Sequence, residues 1–148
     1  MLADQWCETS WRAQPGSFVG LMTLYESNFV RLGWLVNDLR TVSETRVSHV
    51  PTDCDLYLTP MELSRYTGVF RLTYEFICEG SVIRDPDLEV CVYQDARLAE
   101  VRSFRGFQRH PHLSKLQSGL KRELDQRWSR NMLLNKWLEY CAERGHHF

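Results

Sequence analysis

Four acids, Asp85, Asp87, Glu89 and Asp95, fall within eleven residues. General acid–base catalysis and divalent-cation binding both need carboxylates that converge. On an extended chain Asp87 and Glu89 point the same way, but Asp85 and Asp95 belong to opposite ends of the stretch. Seven strand steps separate Leu88 from Asp95, about 23 Å, so the ends cannot share one ion. These acids read as turn and surface carboxylates. His110-Pro111-His112 and His146-His147 offer imidazoles to a metal, yet the proline enforces an extended spacing and no cysteine or acid lies beside the first pair. The five cysteines, Cys7, Cys54, Cys78, Cys91 and Cys141, include no CxxC pair. An odd number at wide spacing reads as reduced thiols packed as small hydrophobes. No phosphate-binding glycine loop, nucleophile elbow, HExxH or EF-hand pattern occurs. No catalytic residue, metal or cofactor is implied.

Charge gives a sharper asymmetry. Residues 102–148 hold ten Lys or Arg against four acids, a local charge of +6, while residues 1–101 carry −7 and the whole chain −1. One reading is a solvated helix face. The other is an anion-binding face made by Arg105, Arg109, Lys121 and Arg122, with Phe104 and Phe107 interleaved for base stacking or for core anchoring.

The elements that would position these residues follow from periodicity. At 148 residues, with 43% hydrophobic and 25% charged, the chain suits one globular domain over 17–148. Residues 1–16, with Trp6 and Trp11, read as a segment docked on the domain or on a partner. Ser17 is a fitting N-cap, and Phe18, Leu21, Met22, Tyr25, Phe29, Leu32, Val36 and Leu39 recur at helical spacing, predicting a helix over about 18–39. From 43 to 104 the period is two. Phe70, Leu72, Tyr74 and Phe76 face one way, with Arg71, Thr73 and Glu75 opposite. The apolar phase slips by one at Pro60, from Leu56 and Leu58 to Met61 and Leu63, which predicts a bulge or an edge strand. Asp85-Pro86-Asp87 has turn chemistry, and Asp95-Ala96 reads as a tight connection to a last strand through Ala99 and Val101. A second helix is predicted over about 119–144, stopped at Gly145. Its second half (Leu133, Leu134, Trp137, Leu138, Tyr140, Cys141) is apolar around more than one stripe. A homodimer through this helix, or the N-terminal segment folded over it, would cover the excess. The fold class is thus α+β: a helix, a four- to five-stranded antiparallel meander and a long helix, with both helices on one face.

Several short stretches carry a resemblance. They are Leu24-Tyr25-Glu26 with Asn28, Asp55-Leu56-Tyr57-Leu58, Leu72-Thr73-Tyr74, and Asp85-Pro86-Asp87-Leu88 leading to Tyr93-Gln94-Asp95-Ala96-Arg97 and Ala99-Glu100-Val101. Lys136-Trp137-Leu138 with Tyr140 and Cys141 completes the set. Over roughly residues 20–145 the chain resembles an uncharacterised proteobacterial family, the domain of unknown function typified by the enterobacterial YqiB protein. The resemblance implies a cytosolic housekeeping or regulatory protein with no established activity. It also draws attention to Tyr93, Asp95 and Arg97 as a motif-bearing hairpin surface, with Asp95 expected to bond the turn backbone and to pair with Arg97.

No stretch is apolar for long enough to span a bilayer, and the N-terminus lacks the basic start and apolar run of a signal peptide. The expectation is a cytoplasmic regulatory or adaptor protein that binds a macromolecular partner, a protein first, and does no chemistry of its own. The alternatives are an RNA- or nucleotide-binding module using the basic C-terminal third, and a hydrolase on a nucleotide-like substrate.

Overall fold

The computed structural model describes residues 17–105 and 123–148. Ser17 caps the first helix, its side-chain oxygen accepting the Gly20 N–H at 3.0 Å. Helix α1 (Phe18–Leu35) ends four residues earlier than periodicity predicts. Asp38 explains the early stop. Its carboxylate accepts the Arg40 N–H at 3.0 Å, a local bond that competes with helix continuation. Leu39 still reaches the core, from a short 3-10 turn (Leu39–Thr41).

Five strands follow: β1 (Arg46–Ser48), β2 (Asp55–Leu63), β3 (Thr67–Cys78), β4 (Ser81–Tyr93) and β5 (Leu98–Arg105). They form an antiparallel meander in chain order. Helix α2 (Glu123–Arg144) closes the chain. Leu58↔Leu72↔Leu88 and Phe70↔Val90↔Val101 run across neighbouring strands on one face. Against that face pack Leu32 and Leu35 of α1 and Leu134, Trp137 and Leu138 of α2. Phe70, Leu72 and Tyr74 are buried as the alternation requires and Arg71 is exposed, but Thr73 on the other face is buried as well, and Phe76, beyond a register shift at Thr73/Glu75, is half-buried.

The phase slip at Pro60 is a bulge between Pro60 and Glu62, and beyond it Met61 and Leu63 turn to solvent. A second bulge between Glu89 and Val90 brings Phe104 opposite Leu88, where it packs on the core. Core anchoring, not base stacking, is what Phe104 does.

One expectation is corrected outright. Asp85-Pro86-Asp87 lies inside β4, with a cis Asp85-Pro86 bond, and is not a turn. The β3–β4 register shifts opposite it, so Pro86 sits where the ladder is already interrupted and no donor is missed. The reversal is made instead by Glu79 and Gly80, at φ 53° and 78°, the left-handed pair that a two-residue hairpin requires.

Helix α2 spends its broad apolar surface within the described chain. Leu133, Leu134, Trp137, Leu138 and Cys141 are buried between α1 and the sheet, and only Tyr140 is left half-buried. The N-terminal segment, the other cover expected for this surface, lies outside the described residues. A polar seam fixes the helix pair. Asn135 donates to Ser27 Oγ at 2.9 Å and to Asn28 Oδ1 at 3.1 Å. Arg31, 2% exposed, donates to the Asn135 carbonyl at 3.0 Å and to Glu139 at 2.9 Å. Asn131 accepts the Val101 N–H at 2.9 Å, which ties α2 to β5.

Candidate functional site

Helix α2 ends in a Schellman motif: Gly145, at φ 92°, donates to the Ala142 carbonyl at 3.1 Å and His146 to the Cys141 carbonyl at 3.0 Å. The motif turns His146 inward, toward the loop between β1 and β2. There His146 Nε2 meets Asp53 Oδ2 at 2.9 Å and Nδ1 meets Ser48 Oγ at 2.9 Å. A carboxylate only accepts, so Nε2 carries the hydrogen and Ser48 faces Nδ1. Tyr74 donates to the same Asp53 oxygen at 2.7 Å, and its hydroxyl lies 3.3 Å from Cys141 Sγ.

Serine, imidazole and carboxylate in sequence are the parts of a nucleophilic relay. Their setting is that of a lock. The His146 and Asp53 side chains are 0% and 4% exposed, and the His147 N–H donates to Ser48 Oγ at 3.1 Å. Ser48 and His146 are buried, 5% and 3% exposed as whole residues, while Asp53 borders the groove beside the β1–β2 loop. A substrate carbonyl has no approach to the hydroxyl. The Phe148 N–H reaching the Leu35 carbonyl at 2.8 Å completes the attachment of the C-terminal residues. Burial pushes the Asp53 pKa up, but the hydrogen bonds from His146 and Tyr74 outweigh it and hold the carboxyl below the usual aspartate range. Burial raises the Cys141 thiol well above its ordinary value, which makes it inert.

The solvent face of the sheet collects the acids that the sequence groups together. Asp87 and Glu89 do share this face, and Arg71 bridges them at 3.3 and 3.6 Å. Thr73 also donates to Asp87 at 2.9 Å. Carboxylates already held by an arginine across the strands are sheet-pairing groups. Asp85 is buried.

The opposite end of the sheet from the lock is built differently. Two turns lie there, Ser64–Tyr66 between β2 and β3 and Gln94–Arg97 between β4 and β5. The Gln94 N–H clips them together by donating to the Tyr66 carbonyl at 2.8 Å. With the end of α1 and the 3-10 turn they enclose a groove of about 890 Å³. Phe29, Trp34 and Tyr66 supply its aromatic surface, Asn37 and Gln94 its amides, and Arg40, Arg65 and Arg97 its positive charge.

These arginines are not equivalent. Arg40 is held by Asp38 at 3.1 and 3.2 Å. Arg65 and Arg97 have no carboxylate partner among the described residues; their guanidinium groups stack on Tyr66 at 5.2 Å and Phe29 at 5.5 Å. Arg97 holds a left-handed backbone, φ 58°, which costs an L-residue about 1–2 kcal/mol. Tyr66 is 53% exposed, large for a ring with no packing role. Gly33 lines the groove from the exposed side of α1, and a Cβ there would meet nothing within 4 Å. Glycine inside a helix costs roughly 0.5–1 kcal/mol against alanine, and no packing contact here accounts for it.

The residues singled out by sequence distribute unevenly over these places. Asp95 and Arg97 line the groove. Asp95 bonds the turn backbone as expected, accepting from the Ala96 N–H at 3.0 Å, but Arg97 stacks on Phe29 and does not pair with it. Tyr93 points to another groove, where its hydroxyl donates to Glu100 at 2.7 Å; that bond is the main reason its pKa is raised. Arg105 is exposed at the far end of β5. Arg109, Lys121 and Arg122 lie outside the described residues, as do Phe107, His110 and His112. Periodicity and motif search did not bring Gly33, Trp34, Arg65 and Tyr66 together, since two of them end α1 and the other two form the β2–β3 turn, elements far apart in the chain. The lock was missed too, although Gly145 next to His146 signalled that the chain turns there.

The fold is that of an α+β protein with one five-stranded meander covered on one face by two helices. The chain belongs to the family described as a protein of unknown function, DUF1249, whose match spans residues 31–147 and so includes every groove residue except Phe29 and Val30. It is 30% identical over 130 residues to the uncharacterized protein YqiB of Escherichia coli K12, covering 86% of this chain and 90% of that one. The YqiB proteins of Escherichia coli CFT073 and O157:H7 match to the same extent. No solved structure matches. Among the described residues no helix is long and apolar enough to cross a membrane.

Proposed function

We propose that this protein works by binding, as a regulatory or adaptor protein of the cytoplasm that engages a macromolecular partner through the groove and carries out no chemistry of its own. The observation that carries this reading is the pair Arg65 and Arg97, exposed and without carboxylate partners among the described residues, flanking aromatic surface in the groove. Arginine and aromatic residues are the ones that most often anchor partners. The one constellation that resembles catalytic machinery, Ser48–His146–Asp53, is closed to substrate. Among the described residues Cys54, Cys78, Cys91 and Cys141 are free thiols, which suits a reducing compartment.

The basic C-terminal third is a weaker second reading. Of its four named residues only Arg105 is described, eight strand steps or about 26 Å from Arg97, too far to join the groove. A direct comparison separates the two. Tagged wild type, Arg65→Glu/Arg97→Glu and Arg105→Glu are passed through a cytosolic extract under matched salt. A partner lost only with the groove variant is the expected result. A partner lost only with Arg105→Glu would move the function to the C-terminal third.

A further inference from the structure

We infer that the chemical feature the groove recognises is a nucleoside phosphate, either free or as the phosphorylated end of a single strand. This rests on the groove being the binding site and names what fills it.

Three aspects of the groove select this class. Its surface is made of flat faces: the Trp34 and Tyr66 rings and the guanidinium planes of Arg65 and Arg97. Arg31 rests on the Trp34 ring at 5.5 Å, and the ring borders the groove as well. Flat faces hold a base by stacking, which every base permits. Amides come next. Asn37 and Gln94 line the groove, each with a donor and an acceptor of the kind that reads a base edge. The third aspect is charge. Arg65 and Arg97 retain their guanidinium forks, and a fork matches two phosphate oxygens. Arg40 is the exception, spent on Asp38.

Two features weigh against other anions. The groove is bordered by a helix end and turns, with no strand edge along it on which an extended peptide could add a ladder. With only Arg65 and Arg97 free of carboxylate partners among the groove arginines, a long polyanion would make few phosphate contacts there. A volume of about 890 Å³ suits one or two nucleotides and lies in the range of small-ligand sites. Gly33 borders the groove on the exposed side of α1, where a side chain would meet open space, so a large residue substituted there would project beside the groove.

The test is calorimetric titration of the full chain with four probe sets. These are the ribonucleoside 5′-monophosphates, inorganic phosphate, RNA tetramers with and without a 5′-phosphate, and a glutamate-rich peptide. Wild type is compared with Arg97→Ala, Arg65→Ala and Gly33→Trp, each confirmed folded by its circular dichroism and melting curve. The expected result is saturable binding of a monophosphate or of the phosphorylated tetramer. Loss of one arginine should weaken it about ten- to a hundredfold, and Gly33→Trp should abolish it. Equal affinity for the monophosphate and the phosphorylated tetramer makes the free nucleotide the ligand, and tighter binding of the tetramer makes it a strand end. Inorganic phosphate binding as tightly as any nucleotide would overturn the inference, because the stacking faces would then contribute nothing. Binding of the acidic peptide alone would overturn it in favour of a protein ligand. If no probe binds while a partner from extract still depends on Arg65 and Arg97, the nucleotide inference falls and the groove reading stands. A partner indifferent to both arginines would remove the groove reading itself.

Discussion

The two ends of the sheet use similar residue types to opposite effect. At one end Ser48, Asp53, Tyr74, Cys141 and His146 satisfy one another, and all but Asp53 are buried. At the other, Arg65, Arg97, Tyr66 and Asn37 are exposed around an open groove, with two cations resting only on aromatic faces. Hydrogen-bonding groups that saturate each other hold a fold together. The same groups left unsaturated on a rigid rim are what a ligand can use. Listing residue types does not separate the two cases: the lock carries the more suggestive catalytic set, and it is the closed one.

That contrast can be broken by mutation, and the largest effect belongs to the lock. Replacing Asp53 with Ala leaves His146 Nε2 without its carboxylate in a buried setting and removes the acceptor 2.7 Å from the Tyr74 hydroxyl. The expected loss is about 3–5 kcal/mol, read as a lowered urea midpoint. Replacing Leu72 with Ala, in the adjoining core, should cost about 2–5 kcal/mol. A loss at Asp53 comparable to that of an exposed residue would mean the network is ornamental.

Acid should act on the same end. The folded Asp53 carboxyl titrates below its unfolded value of about 3.9. Its contribution is therefore fully present above that unfolded value and is lost as pH falls through the lower folded one. Denaturation midpoints for wild type and Asp53→Ala should converge in that acid window and stay apart at neutral pH. Curves that remained parallel would place the acid sensitivity elsewhere.

The groove end should behave in the reverse way. Gly33→Ala removes a helix glycine without a clash and should stabilise by about 0.5–1 kcal/mol, a higher melting temperature. Arg65→Ala should change stability by less than about 0.5 kcal/mol. A large loss there would show that the groove is structural after all. The thiols extend the comparison in miniature: Cys78, exposed at the β3–β4 hairpin, should react with a thiol reagent in the folded protein, and Cys141 only on unfolding.

Alternation and helical spacing are local properties, and they determined much of this protein by themselves. The Ser17 cap, the alternation of Phe70, Leu72 and Tyr74, the bulge at Pro60, the Asp95-Ala96 connection and the stop at Gly145 all follow from residues within a few positions of one another. The turn placed at Asp85-Pro86-Asp87 failed for the complementary reason. Whether a proline ends a strand or sits at an interruption of the ladder depends on the partner strand, here the register shift opposite it in β3. The breadth of apolar surface on α2 was legible, but what covers it was not, since burial between α1 and the sheet is a matter of docking. Asp95 and Arg97 were found through a motif; Gly33, Trp34, Arg65 and Tyr66 were not, because they join them only when two turns and a helix end meet. Ser48, Asp53 and His146 stand up to 98 residues apart, a separation that no periodicity reports and that only the closing of the C-terminal residues onto the sheet removes.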